Sequence, residues 1–193
     1  MKNDDVLTLF RNSGALLEGH FKLSSGLHSP AYLQCALVLQ HPDAAAKLGR
    51  ALADQLRSAG ATVVLSPALG GLIIGHEVAR ALGVRAIFAE RQDGALVLRR
   101  GFSLDANDRV VVIEDVVTTG GSTRETMDVA TAAGATVVAA GAIIDRSGGN
   151  ATLGAPFKSL VTLTVPTYQP EACPLCASGV PITKPGSRAE RKG

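Results

Sequence analysis

Val110-Val111-Val112-Ile113-Glu114-Asp115-Val116-Val117-Thr118-Thr119-Gly120-Gly121-Ser122-Thr123 joins four β-branched residues to two adjacent acids, a small-residue loop and the start of a helical stretch. Such an order reads as a buried strand that ends at a polar loop in front of a helix. Further short Val- and Ile-rich runs lie on either side, at residues 61–65, 84–89, 136–144 and 160–165. Between them the spacing predicts helices. Leu48, Leu52 and Leu56 recur every four residues within 42–59, Gly60 supplies a stop, and 72–82 and 123–133 end the same way at Gly83 and Gly134. Strands that are apolar throughout and alternate with helices imply a parallel sheet covered on both faces. The expected fold class is therefore α/β, a doubly wound, mainly parallel sheet of about five strands.

Composition narrows the classes of function. With 193 residues, 46% of them hydrophobic and 19% charged, the chain has the make-up of one compact domain. The longest nearly unbroken apolar run, 137–144, is far shorter than the ~20 residues a membrane-spanning helix needs, so no membrane role is expected. A net charge of +2 argues against binding nucleic acid through a basic surface. The start, Met1-Lys2-Asn3-Asp4-Asp5, lacks the basic-then-apolar order of a secretory signal, which points to the cytoplasm. Three cysteines are too few for a disulfide framework. Cys173-Pro174-Leu175-Cys176 is a single CxxC with no second pair or histidine cluster in sequence, and is expected to be a pair of reduced thiols in a turn.

Residues 1–40 depart from the alternation. A short helix is expected around Val6–Phe10, then loop, turn and extended chain through 19–40, broken by Ser24-Ser25-Gly26 and Ser29-Pro30. From Tyr168 the chain is dense in Pro, Gly and Cys and ends in a charged stretch, 184–192, expected to be mobile. The chain thus divides into an N-terminal hood segment (1–40), an α/β core (41–167) and a C-terminal segment (168–193).

Chemistry concentrates at the strand-to-helix junction. Two adjacent carboxylates are poor core residues, because burying unpaired charge costs several kcal/mol. They suit either a hard cation or the two hydroxyls of a sugar diol. The loop Thr118–Ser122 offers three hydroxyls and unobstructed amides before a helix N-terminus, which suits a phosphate monoester. Acids for a diol beside amides for a phosphate fit a ribose 5-phosphate. The plainer reading makes Asp115 a helix cap and 118–122 a turn. No Walker lysine and no GxGxxG spacing is present, so triphosphate hydrolysis and dinucleotide binding lose support.

Residues 110–123 resemble the phosphoribosyl diphosphate signature of the type I phosphoribosyltransferases. Gly19-His20-Phe21-Lys22-Leu23-Ser24-Ser25-Gly26-Leu27-His28-Ser29-Pro30-Ala31-Tyr32, the turn Asp145-Arg146-Ser147-Gly148-Gly149 and the C-terminal CxxC resemble the orotate phosphoribosyltransferases, especially the shorter bacterial forms. The resemblance covers nearly the whole chain. It implies transfer of ribose 5-phosphate from phosphoribosyl diphosphate to orotate, with magnesium, in pyrimidine (UMP) biosynthesis. Glu114 and Asp115 would hold the ribose hydroxyls while Val116, Val117, Thr118, Thr119, Gly120, Gly121 and Ser122 wrap the 5-phosphate. Thr118 and Arg146 would approach orotate, the guanidinium pairing with its carboxylate. Ser25 and Gly26 would read the edge of the base, with Tyr32 as an apolar wall.

The same resemblance assigns Leu69 and Gly70 to the diphosphate loop. Relatives place a lysine near this glycine and another near Ser24; this chain reads as having neither. Its diphosphate grip is then expected from the basic stretch 90–102, with Arg91 first by position, Arg99 and Arg100 after it, and 96–98 as a strand in the plainer reading. In relatives this loop closes over the neighbouring subunit of a homodimer. Magnesium would be held mainly by substrate oxygens and water, no protein metal site is expected, and no histidine falls where a general acid would sit. A phosphoribosyltransferase for a purine base and a phosphoribosyl-diphosphate-sensing regulator are the alternatives.

Overall fold

The computed structural model describes residues 1–23 and 25–185; Ser24 and most of the charged stretch 184–192 lie outside the described residues. Its centre is a six-stranded sheet in the order β5-β4-β3-β6-β7-β8. The strands are β3 (Val63–Pro67), β4 (Arg85–Gln92), β5 (Ala95–Leu98), β6 (Arg109–Val117), β7 (Thr136–Asp145) and β8 (Phe157–Thr162). All neighbours are parallel except β5, which folds back antiparallel on β4. Strand β5 is the sixth where about five were expected: residues 95–98 are the hairpin of the plainer reading, made possible by a turn with Asp93 and Gly94 both at positive φ.

Helices α1 (Asn3–Asn12), α2 (Cys35–Leu39), α3 (Pro42–Leu56) and α4 (Gly71–Leu82) belong to one face of the sheet, and α5 (Gly121–Ala132) covers the other. The period-two pleat divides the core between them. Val111 and Ile113 of β6 join Leu48, Leu52, Ile74 and Val78 on the first side, while Val110 and Val112 join Met127 and Ala130 of α5 on the second. Two expectations shift here. Strand β6 does not stop before the acids but runs on to Val117, because β7 is long enough to keep pairing with it as far as Val117↔Asp145. At the other edge β8 ends at Thr162, before Val165, and the chain beyond it leaves the sheet.

The N-terminal region is more ordered than loop and extended chain. Strands β1 (Leu16–Lys22) and β2 (His28–Leu33) form an antiparallel hairpin followed by α2. Its register slips between Glu18 and Phe21, and this irregularity lets the adjacent His20 and Phe21 both be buried. A clean alternation is therefore missing from the sequence. The C-terminal segment pairs with this hairpin through isolated bridges, Phe21↔Thr183 and His28↔Tyr168.

The strand order reverses between β3 and β6. From β3 the chain proceeds outward to β4, and from β6 it proceeds the other way to β7, so the loops after β3 and β6 diverge and leave a crevice at the carboxyl ends. That crevice depends on α4 being held close. A Cβ added to Gly49 of α3 would lie 2.5 Å from Glu77 Cβ and 2.8 Å from the Glu77 carbonyl carbon on α4. Backbone cannot yield as a flexible side chain would, so Gly49→Ala should lose about 1–2 kcal/mol, the overpacking cost outweighing the ~1 kcal/mol of helix propensity alanine gains. Urea unfolding of the two proteins checks this; an unchanged or raised midpoint would contradict the close helix approach.

Candidate active site

The pleat that sorts the core also sorts the two acids. Glu114 shares the phase of Val110 and Val112 and so faces α5, where Ser122 Oγ donates to its Oε2 at 3.1 Å. Asp115 shares the phase of Val111 and Ile113 and turns toward α4. Gly70, the residue before α4, is its neighbour: a Cβ there would sit 2.8 Å from Asp115 Oδ1. Only glycine lets the β3 loop come this near the carboxylate. The loop after β3 thus meets the carboxyl end of β6 at Asp115.

Glu114 is buried to 6% exposure and Asp115 is half-buried. Burial pushes Glu114 up to about 8, with the neighbouring Asp115 adding to the rise, and burial likewise raises Asp115 above the usual carboxylate range. Main-chain donors take up part of the charge: Val116 N–H donates to Asp115 Oδ1 at 2.8 Å and Asp115 N–H to Glu114 Oε1 at 3.4 Å. No arginine or lysine pairs with either acid among the described residues. Such a pair is poised for an incoming group that supplies hydroxyls or positive charge.

The loop beyond is shaped by Gly120, whose φ of +76° places it in the left-handed region and whose missing side chain leaves room for Leu153. Arg124 donates to the carbonyls of Thr119 and Thr152, at 2.9 and 3.0 Å, tying the loop to the far side of α5. Helix α5 begins at Gly121, and its first turn carries no acidic residue that would oppose an anion. Val116 and Val117 contribute through backbone alone: Val117 is buried, and its carbonyl accepts from Arg146 N–H at 2.8 Å.

Thr118 and Thr119 open onto a cavity of about 540 Å³ shared with Arg146, Tyr32, Ser25 and Lys22. Arg146 is positioned by a turn built on Asp145, whose carboxylate accepts from Ser147 N–H (2.8 Å), Ser147 Oγ (2.6 Å) and Gly149 N–H (3.1 Å). With that anion committed to the turn, the guanidinium is left without it. Arg146 Nε is buried and meets no acceptor among the described residues, and desolvation lowers the arginine's pKa. An arginine held this way at a cavity calls for a planar anion.

On the N-terminal side, Ser25 lines the cavity and Gly26, at φ +86°, closes the turn by donating to Leu23 O at 2.9 Å. Two groups were not foreseen. Lys22 lines the cavity two residues before Ser24, which corrects the expectation of no lysine there; it ends β1, where the hairpin register aims it at the turn. Thr167 and Pro185 reach the cavity from the C-terminal segment, more than a hundred residues away, and no local signal marks them.

Leu69 is 82% exposed in the loop after β3, and its peptide with Ala68 is cis. Arg91 lies outside the cavity of its own chain. Its guanidinium forks onto Glu125 of α5, at 3.1 and 2.7 Å, while Arg99 and Arg100 gather at Glu90. The structure therefore brings together Thr118, Thr119, Arg146, Ser25 and Tyr32 at one cavity and Glu114, Asp115 and Gly70 in the adjoining crevice, and leaves Arg91 apart.

Comparison with known proteins identifies the family. Residues 36–169 match the family described as the phosphoribosyl transferase domain. The chain is 55% identical over 186 residues to an orotate phosphoribosyltransferase of Carboxydothermus hydrogenoformans, covering 95% of this chain and 97% of that one. A second from Pelotomaculum thermopropionicum is 52% identical, with 97% and 99% covered. The crystal structure of orotate phosphoribosyltransferase from Aeropyrum pernix superposes with a TM-score of 0.69 at 27% identity, over 82% of this chain and 93% of that one. With its α/β fold, its acidic switch-point crevice and its arginine-lined cavity, the chain belongs to the orotate phosphoribosyltransferases of the phosphoribosyltransferase family.

Proposed function

We propose that the crevice seats phosphoribosyl diphosphate and that the Arg146 cavity seats orotate, so that a ring nitrogen of orotate displaces diphosphate at the anomeric carbon to give orotidine 5′-monophosphate. The observation that carries this reading is Arg146, a half-buried arginine whose buried Nε has no acceptor among the described residues, in a cavity lined also by Thr118, Tyr32 and Ser25. A carboxylated planar base supplies an anionic acceptor matched to the guanidinium, whereas a neutral purine offers only uncharged ring nitrogens and carbonyls. The phosphate end follows from the loop Thr118–Ser122, whose amides precede α5.

In this reaction Glu114 and Asp115 accept hydrogen bonds from the ribose diol and favour the positive charge that develops on the sugar as the bond to diphosphate breaks. Arg146 and Thr118 orient the base, and the loop 118–122 fixes the phosphate, so that approach is intramolecular in effect. Magnesium suits hard oxygen donors of the kind Glu114 and Asp115 provide, and they would hold it through water and substrate oxygens. When bound it neutralises the leaving diphosphate. None of the three cysteines is in a disulfide, which accords with a reducing cytoplasmic setting.

Supplying the purified chain with phosphoribosyl diphosphate, magnesium and single bases should release diphosphate with orotate and not with adenine or hypoxanthine; turnover with a purine alone would overturn the assignment. Arg146→Ala should lower kcat/KM for orotate about 100-fold, the loss of a charge-assisted contact of about 2–3 kcal/mol, and leave phosphoribosyl diphosphate affinity within about twofold. Equal losses for both substrates would remove Arg146 from the base site.

We assign Arg91 to the diphosphate of a neighbouring subunit in a homodimer, since within its own chain it pairs with Glu125 and does not face the cavity. Mixing an Arg91→Ala chain with a chain carrying Glu114→Gln and Asp115→Asn should restore part of the activity that each lacks alone. A verified mixed dimer without recovery would show that the arginine does not act across the interface.

The raised acids give a pH signature. A carboxyl at about 8 in the folded chain keeps a proton that the unfolded chain, near the ordinary value of about 4.3, has released. Its contribution to the stability of the ligand-free protein is therefore fully present below that ordinary value and is lost as pH rises through about 8, by at most about 1.4 kcal/mol per unit for one proton. Thermal melting from pH 5.5 to 8.5 should show this decline, and Glu114→Gln should flatten it. Parallel profiles for the two proteins would place the titrating group elsewhere.

A further inference from the structure

The single CxxC is not alone in space. His20 of β1 and His28 of β2 stand beside Cys173 and Cys176, and one ligand atom from each lies within 4.8 Å of all the others. His20 Nε2 is 3.0 Å from His28 Nδ1, 3.5 Å from Cys173 Sγ and 3.7 Å from Cys176 Sγ, and Cys176 Sγ is 3.3 Å from His28 Nδ1. These are close to the edges of a tetrahedron around zinc. Bonds of about 2.0–2.1 Å to nitrogen and about 2.3 Å to sulfur place neighbouring ligand atoms roughly 3.3–3.8 Å apart.

Protons alone do not account for the cluster. His20 Nδ1 lies 2.8 Å from the Val180 carbonyl, an acceptor, so in the neutral ring this nitrogen carries the hydrogen and Nε2 presents a bare lone pair to the cluster. Three groups crowd that lone pair, and only one can donate along it. A cation at the centre satisfies all four at once, and the carbonyl behind His20 is the kind of second partner that orients zinc-bound imidazoles. Packing does not explain the assembly either: Cys173 is the only buried residue in 162–185, yet this segment is laid against the hairpin through Thr183 and Tyr168.

We propose that His20, His28, Cys173 and Cys176 form a structural zinc site that staples the C-terminal segment to the N-terminal hairpin. With four protein ligands it is closed to substrate and distinct from the magnesium of the reaction. Its two histidines bracket the loop whose Lys22, Leu23, Ser25 and Leu27 line the cavity, so the metal holds that loop at both ends. Two histidines thus stand in space beside a CxxC that reads as isolated in sequence. The histidines are eight residues apart in sequence and some 150 from the cysteines, and only the hairpin pairing and the C-terminal bridges bring them together.

Untagged full-length protein purified under reducing conditions from zinc-supplemented cells should carry one zinc per chain by elemental analysis. After removal by chelator, cobalt should restore the visible absorption of a tetrahedral site together with thiolate-to-metal charge transfer. Cys176→Ser, at the exposed ligand, should reduce bound zinc at least tenfold, whereas Cys35→Ser, in the core away from the cluster, should keep it. Chelation should lower the Tm of the wild-type chain and leave that of Cys176→Ser unchanged. Wild-type protein without stoichiometric zinc after reconstitution, cobalt bound without thiolate bands, or a chain two daltons light from a Cys173–Cys176 disulfide would each overturn the proposal. The cobalt spectrum of the wild-type chain decides the matter even if the variants fold poorly.

Discussion

Everything at the catalytic end of this molecule depends on the pleat of β6. Side chains alternate across a strand, so adjacent acids cannot occupy one face; Glu114 is sent to α5 and Asp115 to the loop before α4. Because β6 lies at the point where the strand order reverses, both faces open into the same crevice. One dipeptide thereby reaches two walls of one site. A single residue inserted between Ile113 and Glu114 would exchange the two acids and break both contacts.

The electrostatics follow from that placement. Acids removed from solvent with no cationic partner among the described residues are held in a state that a diol or a cation relieves. Arg146 has the converse character, a half-buried cation with a buried, unpaired Nε, and Asp145 beside it in sequence is occupied by the amides and hydroxyl of its own turn. Opposite unmet demands a short distance apart along neighbouring strands suit a reaction that joins an anionic base to a sugar that becomes cationic.

Around this core the hood solves a different problem. The C-terminal segment contributes almost nothing to apolar burial, and the hairpin it rests on is two-stranded. Two-stranded hairpins are marginal by themselves in water. The contacts that join them are polar and of high sequence separation: Lys22 N–H to Thr183 O, Thr183 N–H to His20 O, and the exchange between His28 and Tyr168. Loop closure over so long a stretch is entropically opposed. A four-ligand metal staple is a natural means of holding it.

Much was legible in the chain itself. Runs of Val and Ile separated by leucines four apart determine a parallel sheet with covered faces, since only that arrangement buries both kinds of element; the signature Glu114–Ser122 and Arg146 are likewise readable, because strand, loop and helix are contiguous there. The hairpin at 16–33 was obscured by its irregular register, and β5 by its shortness. Lys22, Thr167 and the partnership of His20 and His28 with Cys173 and Cys176 belong to tertiary structure alone. Their spacing follows no local period, and they meet only because the segment 168–183 pairs with the N-terminal hairpin.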